Sequence, residues 1–147
     1  MFVMSIYSTL SSEHEKILHY LDRIEDCGSD TSEKRTELFT ALKHLVLMDM
    51  DAEKRSLYPH LKHNVHTRDL ANIAEQEKDQ IKDSLEYLSG TDLSGALWMR
   101  KFMHLKEDLE YHIRHEEHEL YPTAKSVIND TTAEEIDKNF RRHVDKT

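Results

Sequence analysis

The chain has 147 residues, of which 33% are charged, so its length suits one domain spanning residues 1–147 and its composition suits long amphipathic helices. Its 20 basic and 29 acidic residues leave a formal net charge of −9 with histidine neutral, which disfavours nucleic acid and anionic membranes as partners because their phosphates would repel it. The single Cys27 excludes an intrachain disulfide. The apolar segment Met1-Phe2-Val3-Met4 is too short for a signal peptide, and no apolar run approaches the ~20 residues that span a bilayer. We therefore expect a cytoplasmic protein.

The apolar spacing predicts two long helices in the first half of the chain. The first runs from about Ser5 to Cys27 and ends at Gly28-Ser29. Asp30, with Glu33 three residues later, resembles a capping box that opens the second helix, and Pro59 disturbs that helix near its end. Apolar residues recur every three or four positions along both helices: Ile6, Leu10, Ile17, Leu21 and Ile24, then Leu38, Leu42 and Leu45.

The second half of the chain predicts a similar pair of helices. The third helix spans about Arg68 to Leu88, and Gly90-Thr91-Asp92 with Ser94-Gly95 form the following loop. Thr132 with Glu135 resembles a capping box that starts a short, mostly polar C-terminal helix. The core candidates are Leu70, Ile73, Ile81, Leu85 and Leu88 on the third helix and Trp98, Phe102, Leu105, Leu109 and Leu120 on the fourth. Short connections between four main helices predict an all-α fold, an antiparallel up-down-up-down four-helix bundle with a short C-terminal helix.

One sequence pattern occurs twice along the chain. Asp49 is followed by Glu53 and then by Leu57-Tyr58-Pro59, whereas His112 is followed by Glu116 and then by Leu120-Tyr121-Pro122. The segment Glu13-His14-Glu15-Lys16 likewise matches Glu75-Gln76-Glu77-Lys78. The two copies are separated by 63 residues in the first comparison and by 62 in the second. The repeat predicts two related helix pairs with a site between them.

Several ionisable residues occupy core positions of the predicted helices. Residues four apart share one helix face, with ~6 Å between their Cβ atoms. Burial of an ionised carboxylate costs several kcal/mol unless the group is paired or coordinated. Each of these residues alone could be a hydrogen-bonded core residue or part of a solvated face, but their convergence on one layer favours a metal site. These residues are His14, Asp49, Glu53, His112 and Glu116.

The spacing also separates rival types of metal site. No histidine has an acid three residues before it, so the Glu-x-x-His motif of ferritin-like bundles is absent, and one cysteine excludes a thiolate zinc site. Histidine and carboxylate four residues apart suit iron, manganese or zinc. We expect Tyr58 and Tyr121 to pack at the end of the bundle. We expect the remaining polar residues near these motifs to face solvent: His60, His63, His66, His115 and His118, and Glu13, Glu15 and Glu75.

In this combination the sequence resembles the hemerythrin-like HHE cation-binding family over about residues 5–128. The strongest element is His112-x-x-x-Glu116-x-x-x-Leu120-Tyr121-Pro122, together with Glu13-His14. The resemblance implies a four-helix bundle that holds two non-heme irons. In that family each half supplies one histidine from its first helix and His-x-x-x-Glu from its second, and the two glutamates bridge the irons. Members bind oxygen, sense oxygen or iron, or handle nitric oxide and iron.

The family's ligands carry over to four positions and depart at two. Asp49 stands where a histidine is expected and is a good hard ligand, whereas Gln76 stands at another histidine position and offers only a neutral amide. The ion near His112 should therefore bind more weakly than the ion near His14 and Asp49. The extra carboxylate should favour the ferric over the ferrous state, which disfavours reversible oxygen carriage because that function requires a stable diferrous form. The full predicted ligand set is His14, Asp49, Glu53, Gln76, His112 and Glu116.

The sequence therefore predicts a protein that binds a metal ion, and through it binds or senses a small diatomic ligand or iron. Iron is the expected metal, with manganese or zinc as alternatives. The sequence contains neither a set of acid–base residues apart from the ligands nor a Gly-rich nucleotide loop, so it does not indicate turnover of an organic substrate. Two other hypotheses stay open. One is a degenerate, metal-free helical module that acts through protein partners, and the other is a non-heme iron enzyme that activates oxygen or peroxide at the position left open by Gln76.

Overall fold

The computed structural model of the protein describes residues 5–27, 32–90 and 95–145, and every secondary-structure element within these ranges is helical. The predicted all-α fold is thereby confirmed. A π-helical turn over Glu116–Leu120 joins the fifth and sixth helices. The helices are α1 (Ile6–Cys27), α2 (Ser32–Ser56), α3 (Tyr58–His63), α4 (Arg68–Ser89), α5 (Ala96–His115), α6 (Tyr121–Val127) and α7 (Asp130–Asp145).

Four long helices, α1, α2, α4 and α5, form the body of the bundle. Helix α1 packs on α2 and α4 packs on α5, while α1 also contacts α5 and α2 contacts α4. The expected helix end at Gly28-Ser29, the cap at Asp30, the loop residues 91–94 and the segment Met1–Met4 lie outside the described residues. None of the described helices is long and apolar enough to cross a membrane.

Proline starts a short helix after each of the two repeated motifs. Pro59 lies in the first turn of α3 and Pro122 in the first turn of α6, where a backbone N–H is not needed for the helical ladder. In the first half α2 therefore ends at Ser56 and α3 begins at Tyr58. The duplicated Leu-Tyr-Pro sequence thus has one structural meaning in both halves, namely the start of a short helix that turns the chain at the end of the bundle.

The core consists of two apolar clusters with a polar layer between them. The first cluster contains, among others, Ile17, Val46, Met50, Ile81, Phe102 and Leu109, and the second contains Ile6, Leu10, Leu57, Ala74, Leu120 and Phe140. Each long helix passes from one cluster to the other at buried polar residues. These are His14 in α1, Asp49 and Glu53 in α2, Lys78 in α4, and His112 and Glu116 around the end of α5. The bundle therefore holds a buried polar layer in contact with all four long helices.

Two details of the predicted core are wrong. Ile73, a core candidate, is 45% exposed, and Leu70 is only partly buried. The buried face of α4 instead includes Ala71, Ala74 and Lys78. Glu13, expected to face solvent, is buried and lies 3.4 Å from the Lys16 ammonium. In the first half of α4 the buried stripe therefore lies one residue beyond the predicted one, whereas Ile81, Leu85 and Leu88 are buried as predicted. In α1 the predicted stripe is buried, and Glu13 is buried in addition to it.

Helix α7 contributes more to the core than its polar sequence predicts. It has 16 residues and packs against α2 and α1 with Ile136 and Phe140 buried. Asn129 rather than Thr132 caps its start, because the Asn129 side-chain oxygen accepts a hydrogen bond of 2.8 Å from the Thr132 amide. The helix was expected to be mostly polar because its apolar stripe is narrow.

A buried hydrogen-bond network joins α7 to α1. The Thr9 hydroxyl donates to Asp137 Oδ1 at 2.5 Å. The Arg141 guanidinium donates to Asp137 Oδ2 at 3.0 Å and to Thr9 Oγ1 at 3.1 Å. All three polar groups are satisfied by one another, so the network fixes α7 at one position beside α1.

We expect Phe140→Ala to lower the free energy of unfolding by about 3–5 kcal/mol, because it removes a fully buried ring between α7 and the bundle. Tyr87→Ala is the control, since this aromatic ring is 52% exposed, and it should cost less than about 0.5 kcal/mol. Urea unfolding followed by circular dichroism measures both values. Equal stabilities of the two variants would show that α7 does not pack on the bundle.

Candidate metal centre

Three buried side chains from three elements direct potential ligand atoms toward one point. They are His14 of α1, Glu53 of α2 and Glu116 of the π-helical turn, and one nitrogen or oxygen of each lies within 4.8 Å of the others. His14 Nε2 is 3.4 Å from Glu116 Oε1. All three side chains are less than 5% exposed. Imidazole and carboxylate groups are established ligands of iron, manganese and zinc, so this group could hold a cation.

His112 approaches the same carboxylate from α5. Its Nε2 lies 3.0 Å from Glu116 Oε1, the oxygen that His14 also faces. The second oxygen of Glu116 accepts a hydrogen bond of 2.9 Å from the Tyr58 hydroxyl. Burial and the charges of Glu116 and Glu53 raise the pKa of Tyr58 well above its usual value, so this hydroxyl stays protonated and donates. Glu116 is therefore the shared contact of three neighbouring side chains.

Each imidazole has a carboxylate on its other ring nitrogen. His112 Nδ1 donates to Glu77 Oε1 at 2.9 Å, and His14 Nδ1 lies 3.5 Å from Glu117 Oε2. Metal-binding histidines commonly have such a carboxylate partner, because it fixes the tautomer and orientation of the ring and leaves the second nitrogen free to coordinate. Both rings thus present Nε2 to the interior.

Glu77 and Glu117 were not predicted as part of the site. A signal for Glu77 was present, since Glu77 follows His14 by 63 residues, the same offset that relates Asp49 to His112. Gln76, the predicted ligand, is exposed, and the structure does not bring it to the other five residues. One residue corresponds to a rotation of about 100° around a helix, so the two offsets place different side chains inside the bundle.

Asp49 is buried beside the group but lacks a hydrogen-bond partner for either oxygen among the described residues. Burial, with the negative charges of Glu13 and Glu53, raises the pKa of Asp49 to about 8. An unpaired buried carboxylate is costly, and a bound cation would compensate for it. This observation fits a metal ion at the site.

The other charges of the layer balance one another. Burial opposes ionisation of Glu116, but the positive charges of His112 and Lys78 outweigh it and hold the pKa of Glu116 well below its usual value. Although burial alone lowers the pKa of both imidazoles, the nearby glutamates raise the pKa of His14 to about 10 and that of His112 to about 9. Burial and the charge of Glu116 raise the pKa of Glu53. Without a metal, both imidazoles are therefore doubly protonated and positively charged at neutral pH.

Lys78 is a buried cation in this layer that was not assigned a role from sequence. It is 6% exposed, and its ammonium pairs with Glu53 Oε2. The same ammonium lies 3.8 Å from the centre of the Tyr58 ring, which gives it a cation–π contact. Lys78 therefore connects α4 to the acid on α2 and to the tyrosine that binds Glu116.

The remaining residues near the motifs are partly as expected. His60, His63, His66 and His118 are exposed, whereas His115 is partly buried and lies 2.8 Å from Glu119 Oε2. Tyr121 lies nearer to the group than an end position implies, because its ring stacks on His14 with 6.0 Å between centroids.

The family model of the hemerythrin HHE cation binding domain matches residues 5–124. The chain belongs to this family. Among solved structures, the HHE domain is similar to the crystal structure of a hemerythrin HHE cation binding domain-containing protein from Mycobacterium kansasii. The two share 25% identity and a TM-score of 0.86 over 98% of this chain and 87% of that one. No curated protein matches the chain. The predicted resemblance is thus confirmed.

We expect the HHE domain prepared without metal to become less stable as the pH rises from about 6.5 to about 10. His14 and His112 have folded-state pKa values of about 10 and 9, whereas an unfolded histidine loses its proton near 6.5. The pKa of Asp49 is likewise raised from the usual 3.8 to about 8, so the folded state keeps this proton to a higher pH than the unfolded state does. The folded state therefore binds more protons in this range, so the free energy of unfolding falls with rising pH.

The fall should be at least about 2 kcal/mol between pH 6.5 and 9.5 when measured by urea unfolding with a chelator present, since one unit of pKa difference in a single group corresponds to about 1.4 kcal/mol. His14→Gln should flatten the pH profile, because it removes one of the shifted groups. His60→Gln, at an exposed position, should leave the profile unchanged. A profile in His14→Gln with the same slope as in the unmodified chain would contradict a protonated His14 in the metal-free fold, because the remaining slope should come from His112 and Asp49 alone.

Proposed function

We propose that this HHE domain binds a non-heme metal ion, with iron as the leading candidate. We further propose that the protein uses the bound ion to bind or sense a small diatomic ligand such as oxygen or nitric oxide. The observation that carries the proposal is the buried convergence of His14, Glu53 and Glu116 from three elements of the bundle. His112 and Asp49 complete the proposed ligand set. Gln76 is not part of it, because this side chain is exposed.

The donor atoms support iron or manganese. The group offers two imidazoles and three carboxylates and contains no thiolate, a combination of borderline and hard ligands that suits these metals better than copper(I). Asp49 adds a negative ligand where the family pattern has a histidine, and a negative ligand stabilises the ferric state relative to the ferrous state. This supports sensing or reaction with a diatomic ligand more than reversible carriage of oxygen, which needs a stable ferrous form.

The surroundings of the group support a small ligand rather than an organic substrate. The polar layer lies between two apolar clusters, and its ligand atoms are almost fully buried. A surface cleft lined by Tyr7, Ser11, Glu117 and Tyr121 lies next to it, and the last two of these residues contact His14 directly. One layer of side chains therefore separates solvent from the proposed site. A bound iron would supply an open coordination position for the diatomic ligand.

The experiment is metal analysis of protein purified without a His tag, together with its near-ultraviolet and visible spectrum before and after addition of nitric oxide. We expect bound iron and a new visible band with nitric oxide. Glu116→Gln should lower the iron content more than about tenfold, because it removes the charge of the central carboxylate while preserving its shape. Glu119→Gln is the matched control, since it lies in the same π-helical turn but is exposed, and it should retain iron.

A metal-free helical module is the second candidate, and one observation favours it. Lys78 and the two protonated histidines can neutralise the buried acids without any metal. In that case chelator-treated protein and protein supplied with ferrous iron should have the same melting temperature. A binding site should instead raise the melting temperature by several degrees, because a ligand that binds only the folded state stabilises it.

A further inference from the structure

We propose that this HHE domain holds one metal ion rather than two, and that the Lys78 ammonium takes the position and the charge of a second ion. The inference depends on the proposed metal site and departs from the two-iron centre that the family resemblance implies.

The hydrogen bonds leave each central glutamate with one oxygen for a metal. Glu53 Oε2 pairs with the Lys78 ammonium, and Glu116 Oε2 accepts the hydrogen bond of the Tyr58 hydroxyl. A carboxylate that bridges two ions with one oxygen on each would have to share its second oxygen between the second ion and the hydrogen-bond donor. Glu53 and Glu116 therefore fit a single ion, which would lie on the side where Glu116 Oε1 faces His14 and His112.

Helix α4 supplies no ligand for a second ion among its inward side chains. Gln76 is exposed, and the Glu77 carboxylate lies behind His112 as the partner of its Nδ1. The next residue, Lys78, turns inward and brings a positive charge into the layer beside Glu53, on the helix from which the second half of the repeat should supply a ligand. A cation at this point would repel a second metal ion instead of binding it.

The charges of the buried layer favour the same conclusion. Three acids of the layer, Asp49, Glu53 and Glu116, carry three negative charges when they coordinate a metal, and Glu13, the other buried acid nearby, already pairs with Lys16. One divalent ion and the Lys78 ammonium supply three positive charges. A second divalent ion would add two positive charges, and only the partly exposed Glu77 and Glu117 carboxylates behind the imidazoles remain to balance them.

Lys78 is also the point at which the two halves of the chain differ. At the 63-residue offset that relates His14 to Glu77, the counterpart of Lys78 is the exposed Glu15. Lys16, its match in the aligned segments Glu13–Lys16 and Glu75–Lys78, has a side chain that is 60% exposed, whereas the Lys78 side chain is 8% exposed and contacts Glu53 and the Tyr58 ring. A lysine that only contributes to solubility would keep its side chain at the surface, as Lys16 does. The burial and the two contacts of Lys78 indicate a role as an internal counter-ion.

The test loads chelator-treated protein with excess Mn²⁺, removes unbound ions by gel filtration and measures manganese per chain together with the electron paramagnetic resonance spectrum. We expect one Mn²⁺ per chain with the six-line signal of an isolated ion. Lys78→His replaces the cation by a ligand and should double the content to two, with an exchange-coupled signal. Lys78→Arg keeps the charge and should bind one ion, as should the control Lys82→His one turn further along α4.

Each outcome is decisive. Two coupled ions in the unmodified chain would overturn the inference while leaving the proposed metal site intact. No bound ion in the unmodified chain would instead overturn the proposed function itself. One ion in both the unmodified chain and a folded Lys78→His variant would show that Lys78 does not replace the second ion. If Lys78→His does not fold, Lys78→Gln, which keeps a hydrogen-bond donor for Glu53 but no charge, must exceed one ion per chain, and one ion would count against the inference.

Discussion

The central constraint of this protein is the burial of Glu116, whose carboxylate lies in the middle of the bundle and is 1% exposed. A charge at this depth requires partners, and His14, His112 and Tyr58 supply them from α1, α5 and α3. Those partners need positions of their own, so the glutamates behind the imidazoles and Lys78 beside Glu53 follow from the same requirement. The polar layer is therefore one connected network in which removing a single charge leaves its neighbours unpaired.

The fold separates the stabilising and the functional parts of the core. Two apolar clusters on either side of the polar layer supply the hydrophobic burial that the layer itself lacks. Helix α7 strengthens the second cluster by placing Ile136 and Phe140 against the bundle. The clusters hold the four long helices together, and this packing places the candidate ligand atoms of His14, Glu53 and Glu116 within 4.8 Å of one another.

The π-helical turn links the site to the end of the bundle. It starts at Glu116, and the Tyr121 amide donates to the Glu116 carbonyl across its five residues. Such a turn accommodates one additional residue in a helix and is common at functional sites. Here it lies between the pair His112 and Glu116, which face the polar layer, and Leu120 and Tyr121, which pack in the second cluster. A periodicity of three or four residues in the sequence does not reveal this turn, because both helix types keep these residues near one face.

The sequence by itself determined the helices and the repeat, because a helix face is set by local spacing. It also indicated the polar residues that the fold buries, because such residues stand out in an apolar stripe: His14, Asp49, Glu53, His112 and Glu116. Only the tertiary structure decided which face of α4 turns inward. Hydrophobicity favoured Ile73, and the sequence match to His14 favoured Gln76, whereas the fold buries Ala74 and Lys78. The small alanines allow close approach of neighbouring helices, and Lys78 is stabilised by Glu53 and Tyr58, which are distant in sequence. Such contacts between distant residues leave no local pattern, so the counter-ion of the site became visible only in the folded chain.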